Sequence, residues 1–236
     1  LANPAIIDSD WSSIVTYTKK WIESSNAING QTRSLKCQYM RRLFWYYIIT
    51  VKSSGWHLDE VRSLKWADLF ERNNNFKTRK KNGDLNIQGK SKRGNSKNRE
   101  FLEIVRTNDL RKELRDWANY QQDFLSKLGL NSKLSNQNYI FGNPFKSMEP
   151  ISKQRLCNDW RIIINKLIDL KSIKCKDYFN QRYTLTSLRT TFIEELIAEG
   201  KDLITLTKAT GLSLSVLTKY HERMIAKGLL HSKTIR

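Results

Sequence analysis

The chain has 236 residues, with 42 Lys and Arg against 23 Asp and Glu, giving a formal charge of +19. Its 39 % hydrophobic content, including seven Trp and nine Tyr, excludes intrinsic disorder, because that much apolar surface offsets the entropy of ordering. The longest apolar run, Leu43 to Val51, is about half of the roughly 20 residues a membrane span needs, so a spanning role is excluded.

Asp8 to Asn26 places Trp11, Ile14, Val15, Trp21 and Ile22 at helical spacing behind an Asp/Ser cap, which predicts a first helix. Gln31 to Lys52 is a second, more apolar helix, and Leu58 to Leu69 a third. Between Lys77 and Arg99 the pattern changes. Nine basic residues (Lys77, Arg79, Lys80, Lys81, Lys90, Lys92, Arg93, Lys97 and Arg99) face one acid, Asp84, among Asn, Gly and Ser. Asn82-Gly83 is a hairpin signal, flanked by strand candidates at Asp84 to Ile87 and Glu100 to Val105. Thr107-Asn108-Asp109 caps a helix to about Leu128, and Pro150 or Ser152 starts another that runs to Leu170. Three short helices follow, Thr186 to Glu199, Asp202 to Ala209 and Ser213 to Lys227, punctuated by Gly200 and Gly211. The expected fold is therefore mainly α with a small antiparallel β-sheet (α+β), one domain over residues 1–236, with a basic hairpin at 70–106 and a C-terminal tail at 222–236.

Cys37, Cys157 and Cys175 are odd in number and lack disulfide or metal spacing, which predicts reduced, mostly buried thiols, a cytosolic setting and no bound metal. The start, Leu-Ala-Asn-Pro, reads as a fragment boundary rather than a secretory signal. The positive excess points to a polyanionic partner, and its concentration in one hairpin favours phosphate contact over a merely solvated basic surface. A general RNA-binding module has only the charge in its favour, since no aromatic-interleaved strand of the RNP kind is present.

Three segments in order carry more specific information. Gly55, Glu60, Leu64, Trp66 and Asp68 fall at the offsets of a T-G-x-R-x-x-E-x-x-x-L-x-W-x-D pattern, with His57 where that pattern has arginine. Ile87-Gln88-Gly89-Lys90-Ser91-Lys92 lies in the basic hairpin. Thr184-Leu185-Thr186-Ser187-Leu188-Arg189-Thr190-Thr191-Phe192 follows an H-x-L-R-H-T-F box, with Arg189 matching and Thr186 in place of the first histidine. Together with Gly211-Leu212-Ser213 and Lys219-Tyr220-His221, these segments resemble the catalytic domain of tyrosine recombinases, the phage-integrase family, from Gly55 to His221.

That resemblance implies cleavage and rejoining of double-stranded DNA by metal-free transesterification, without a cofactor, through a 3′-phosphotyrosine. It implies a DNA-associated location in the cytoplasm and a homo-oligomer, a tetramer acting on two duplexes. It also implies a separate N-terminal core-binding domain, which this chain does not carry, and an exchanged C-terminal tail from Met224 to Arg236, for which a frayed end is the alternative. The guanidinium fork of Arg189 suits the charge of a phosphorane; its alternative role is an ion pair with Glu194 or Glu195. Thr186 shares a helix face with Arg189 and either bonds a phosphate oxygen or caps the helix. His57 either contacts phosphate or caps the helix that follows, and Arg62 lies on another face. Lys90 is the expected acid for the leaving 5′-oxygen, while Lys92, Arg93, Lys97, Arg99, Lys80 and Lys81 grip the backbone. The nucleophile is Tyr220 by the apolar phase of the last helix, whereas counting ten residues from Gly211 lands on His221. With His57, Thr186 and either Leu212 or Gly211 at positions where the family carries donors, a recombinase-like protein that binds DNA without cutting it is the second expectation.

Overall fold

The computed structural model describes residues 3–24, 32–69, 107–129, 134–173 and 182–229. Its first helix, α1 (Asp8–Glu23), opens with Asp8 and Asp10 against the positive helix end and buries Asp10, Ile14, Thr18 and Ile22, one residue per turn. The second, α2 (Thr32–Ser54), buries Tyr39, Met40, Leu43, Phe44, Tyr47, Ile48 and Val51, a stripe at three- and four-residue spacing. This stripe is the centre of the main core, against which α1, α5 (Thr107–Lys127) and α7 (Leu185–Ala198) pack. Among the described residues no helix is long and apolar enough to cross a membrane.

The helix expected from Leu58 to Leu69 is two pieces, α3 (Leu58–Ser63) and α4 (Trp66–Leu69). Leu64 and Lys65 between them turn extended, because the backbone there pairs with residues 138–140. Trp66 N–H donates to the Asn138 carbonyl at 3.1 Å and Ile140 N–H to the Leu64 carbonyl at 2.9 Å. The Asp68 carboxylate then accepts from Lys65 N–H at 2.8 Å and restarts the helix. A periodicity argument sees the apolar spacing on both sides of the break, not the partner strand that causes it.

A two-stranded antiparallel sheet, β1 (Gly142–Asn143) and β2 (Glu149–Pro150), pairs Gly142 with Pro150 and Asn143 with Glu149 around a single helical turn at Pro144–Lys146. The fold class is as expected, but these strands are too short for a period-two signal. The expected strands at 84–87 and 100–105 lie outside the described residues.

α6 (Lys153–Asp169) starts at a Ser152 cap and buries Leu156, Trp160, Ile163, Ile164 and Leu167. α7 is buried almost all round, from Ser187 to Ile197 except Glu195, as befits a helix that runs through the interior. Its first turns join the main core through Leu185 and Leu188. Its later turns build a second core, in which Phe192, Ile193, Leu196 and Ile197 meet Leu206 of α8 (Leu203–Thr210) and Leu217 and Met224 of α9 (Leu214–Ala226). Met224, expected to open an exchanged tail, is thus an interior residue of the last helix; the remainder of that tail from residue 230 lies outside the described residues. Cys37 and Cys157 carry free thiols and are half-buried rather than buried, and Cys175 lies outside the described residues.

The N-terminal segment is fastened to α7. Ile6 N–H donates to Thr191 Oγ1 at 2.8 Å, Thr184 Oγ1 donates to Asn3 Oδ1 at 2.9 Å, and the Tyr183 hydroxyl donates to the buried Asp10 carboxylate at 3.0 Å.

Candidate functional site

Gly55 ends α2 in the left-handed region, φ +64°, with its N–H on the Val51 carbonyl at 2.9 Å. A Cβ here would lie 2.1 Å from Phe192 Cδ1, so only glycine lets the end of α2 close onto α7. The first and third sequence segments therefore touch, with Gly55 against the phenylalanine of the arginine box. Lys52 to Glu195, 2.7 Å, is a second tie between the same two helices.

Two residues on, His57 is the N-cap of α3. Its Nδ1 accepts from Asp59 N–H at 3.2 Å, and its own N–H donates to Glu60 Oε2 at 2.8 Å, a reciprocal capping box. An accepting Nδ1 carries no proton, so the 3.7 Å approach of the Asp59 carboxylate is not an ion pair in this arrangement; the shorter backbone bond decides. Nε2 is then the ring nitrogen that carries the N–H, on a side chain 42 % exposed. Glu60, Leu64, Trp66 and Asp68, the matching positions of the first segment, all have structural work: Glu60 and Asp68 cap, Leu64 and Trp66 are buried, and Trp66 Nε1 donates to Gln121 at 3.0 Å. Arg62 turns away toward β2, its guanidinium on the Ile151 carbonyl at 3.3 Å and beside Asp59 at 3.5 Å.

In the third segment the cap of α7 is Thr184, with Ser187 Oγ accepting from Thr184 N–H at 3.1 Å, so the capping role considered for Thr186 is filled two residues earlier. Thr186 is half-buried on the same face as Arg189. Arg189 is 8 % exposed and donates from Nη2 to the Thr210 carbonyl at 2.8 Å, the last turn of α8, where a cation complements the helix dipole. The ion pairs considered for it are largely taken up elsewhere: Glu194 holds Arg223 and Lys227, and Glu195 holds Lys52.

Gly211, φ +64°, closes α8 and Ser213 begins α9. His221 is buried at 7 % exposure on the face shared with Leu217 and Met224. Tyr220, rotated about 100° from it, is half-buried at the edge of the second core, its ring under the Arg223 guanidinium at 4.8 Å from the centroid. Arg223 also pairs with the buried Glu194 carboxylate of α7, and Lys227 approaches the same oxygen at 3.6 Å.

The site residues thus divide into two groups. His57, Thr186, Arg189 and Tyr220 sit on segments that all contact α7, fixed by Gly55–Phe192 on one side and by Arg189–Thr210 and Glu194–Arg223 on the other. Lys90, Lys92, Arg93, Lys97, Arg99, Lys80 and Lys81 lie outside the described residues. Among the described residues no group of three or more His, Cys, Asp or Glu is placed to hold a metal.

The sequence reading missed Glu194 and Arg223 as partners of the last helix, although Arg223 stands one turn beyond Tyr220. It also missed a polar stripe on α6. Gln154 donates to Asn158 at 3.0 Å, Arg161 donates to the same oxygen at 3.3 Å, and Arg182 donates to Asn165 at 3.1 Å. Gln154, Asn158, Arg161 and Asn165 lie opposite the apolar residues of α6, a pattern a helical projection of 153–169 would have shown. Asp159, on the buried side, has its carboxyl pushed up by burial, with Arg155 at 2.8 Å pulling the other way.

The sequence matches no protein-family model and no curated protein. Solved structures do match. The site-specific recombinase XerH bound to its difH substrate, in a pre-cleavage complex, superposes with a TM-score of 0.54 at 16 % identity, over 96 % of this chain and 53 % of that one. XerH on a palindromic difH substrate, in a post-cleavage complex, gives 0.52 at 16 % identity over 95 % and 53 %. XerA recombinase gives 0.52 at 13 % identity over 97 % and 65 %. The chain spans between about half and two thirds of the length of these proteins. Its mainly helical architecture, with a small antiparallel sheet, is similar in fold to the matched portions of the site-specific recombinase XerH and of XerA recombinase.

Proposed function

We propose that this chain is the DNA-cleaving and rejoining domain of a site-specific recombinase, acting on double-stranded DNA through Tyr220. The observation that carries the proposal is the convergence on α7: Gly55 closed onto Phe192 ties the segment of His57 to the helix that bears Arg189, and the Glu194–Arg223 pair holds the helix of Tyr220 to the same element. The Tyr220 oxygen attacks the scissile phosphorus and gives its phenolic proton to solvent, while the bond from phosphorus to the 5′-oxygen breaks and that oxygen gains a proton, with Lys90 as the expected donor. The bond energy is kept in the phosphotyrosine, and attack by a 5′-hydroxyl reverses the step without a nucleotide cofactor. Arg189, prealigned by the Thr210 carbonyl, is the guanidinium for the phosphorane oxygens, with the Thr186 hydroxyl on the same helix face and His57 as further donors.

Tyr220 is preferred to His221 because His221 faces the second core, while Tyr220 lies at its edge. The face of α6 bearing Gln154, Asn158, Arg161 and Asn165 supports DNA contact, since amide and guanidinium side chains match the base edges of the major groove. In this proposal the acting form is an oligomer on DNA, a tetramer by family resemblance.

A DNA-binding domain that does not cut is the alternative, and one observation favours it: His57 already gives its Nδ1 to a helix cap where the family carries an arginine. The deciding experiment incubates a nicked suicide duplex with the protein, without metal, followed by denaturing electrophoresis. A covalent adduct lost in Tyr220→Phe supports the enzyme; an adduct that survives Tyr220→Phe and is lost in His221→Ala moves the nucleophile. Salt-dependent binding with no adduct establishes the non-cutting protein.

A further inference from the structure

We infer that Arg223 and Glu194 are positioning residues that set the direction of the Tyr220 phenol; the inference rests on Tyr220 being the nucleophile. Three observations lead there. The Arg223 guanidinium stacks on the Tyr220 ring, its carbon 4.8 Å from the centroid, one helical turn along α9. The other end of that guanidinium pairs with Glu194, whose side chain is only 9 % exposed, on the helix that carries Arg189 one and a half turns earlier. Arg223 Nε is buried and makes no hydrogen bond among the described residues, so the guanidinium stays over the ring at the cost of an unsatisfied donor.

A tyrosine at the edge of a core otherwise turns about χ1, and each wrong χ1 rotamer moves the phenolic oxygen by several ångströms, while χ2 sets the plane of the ring. A planar cation clamped by a buried carboxylate removes that freedom. Because the carboxylate belongs to α7, the phenol is referenced to the same rigid element as the arginine that faces the phosphate. In-line attack demands this kind of fixed relation, and misplacement by about 1 Å can cost about 100-fold in rate. Lys227, 3.6 Å from the same Glu194 oxygen and 43 % exposed, adds charge to the pair without touching the ring. It serves as the internal control.

The test measures single-turnover adduct formation on the suicide duplex beside equilibrium binding to the same DNA. Arg223→Met keeps the length of the stem and removes the planar cation; Glu194→Gln keeps the shape and removes the charge. Each is expected to slow adduct formation about 10- to 100-fold with DNA affinity changed less than about twofold, whereas Lys227→Met leaves both near the wild-type values. Arg223→Lys, which retains charge but not the planar stack, is expected to fall between the wild type and Arg223→Met. A purely structural role would lower the melting temperature and DNA affinity along with the rate. To read the ring directly, fluorotyrosine is incorporated and the Tyr220 resonance, assigned by its absence in Tyr220→Phe, is followed by fluorine NMR; it is expected to shift in Arg223→Met and Glu194→Gln and to stay in Lys227→Met. Arg223→Met reacting at the wild-type rate overturns the inference and leaves the proposed function standing. A wild-type protein that forms no adduct overturns the proposed function itself, and this inference with it.

Discussion

Substituting Gly55 by alanine tests the junction on which the whole site depends. Two penalties are superimposed there. The backbone stands at φ +64°, where an L side chain costs about 1–2 kcal/mol. The new Cβ would also lie 2.1, 2.5 and 2.9 Å from Cδ1, Cε1 and Cγ of Phe192, an overpacking that typically costs about 1–3 kcal/mol because the ring is itself fully buried and has nowhere to retreat. The sum, about 2–5 kcal/mol, is a large share of the roughly 5–15 kcal/mol that holds a domain together. Urea unfolding of Gly55→Ala is expected to show a lower midpoint with an unchanged slope. A double-mutant cycle separates the two penalties: in a Phe192→Ala background the steric part vanishes and only the backbone part of about 1–2 kcal/mol remains, giving a coupling of about 1–3 kcal/mol. Equal costs of Gly55→Ala in both backgrounds would refute the contact as the reason for glycine.

Three further outcomes follow from the same geometry. His57→Ala removes an N-cap acceptor and is expected to lower stability by about 1 kcal/mol, with His57→Asn recovering most of it, both read by thermal unfolding. His57→Arg loses the same cap but gains the cation the related family carries there, so it is expected to unfold at lower temperature and form suicide-substrate adduct faster than the wild type. Asp159, whose folded carboxyl is held above its ordinary range chiefly by burial, gains protons more readily folded than unfolded, so its charged form opposes folding at neutral pH. Asp159→Asn is therefore expected to raise the melting temperature at pH 7, an advantage that shrinks as the pH falls through the carboxylate range and the wild-type group is neutralised.

The order and type of most helices were legible because their causes are local. α5, α6, α8 and α9 begin within a residue or two of the Thr, Ser and Asp caps that mark them, and a cap needs only its own backbone. What escaped has non-local causes. The break at Leu64 and Lys65 comes from residues 138–140, and the depth at which Arg189 is buried comes from two cores meeting on one helix. At the site, the sequence named the residues but not their occupation. His57, read as phosphate contact or cap, is a cap in the structure. The ambiguity between Tyr220 and His221 was one of phase, and in the structure Leu217, His221 and Met224 share the face that packs inward.

The bond from Ile6 N–H to Thr191 joins residues 185 positions apart. On a ribosome adding about 5–20 residues per second, Ile6 is made roughly 10–40 s before its partner. Over that interval α1 and α2 have each other, but the face of α2 against which α7 will pack has no helix over it. Under the proposed function, Arg189 and Tyr220 are made after the basic residues between Lys77 and Arg99, so a nascent chain holds that positive charge for some time before it has the proposed nucleophile.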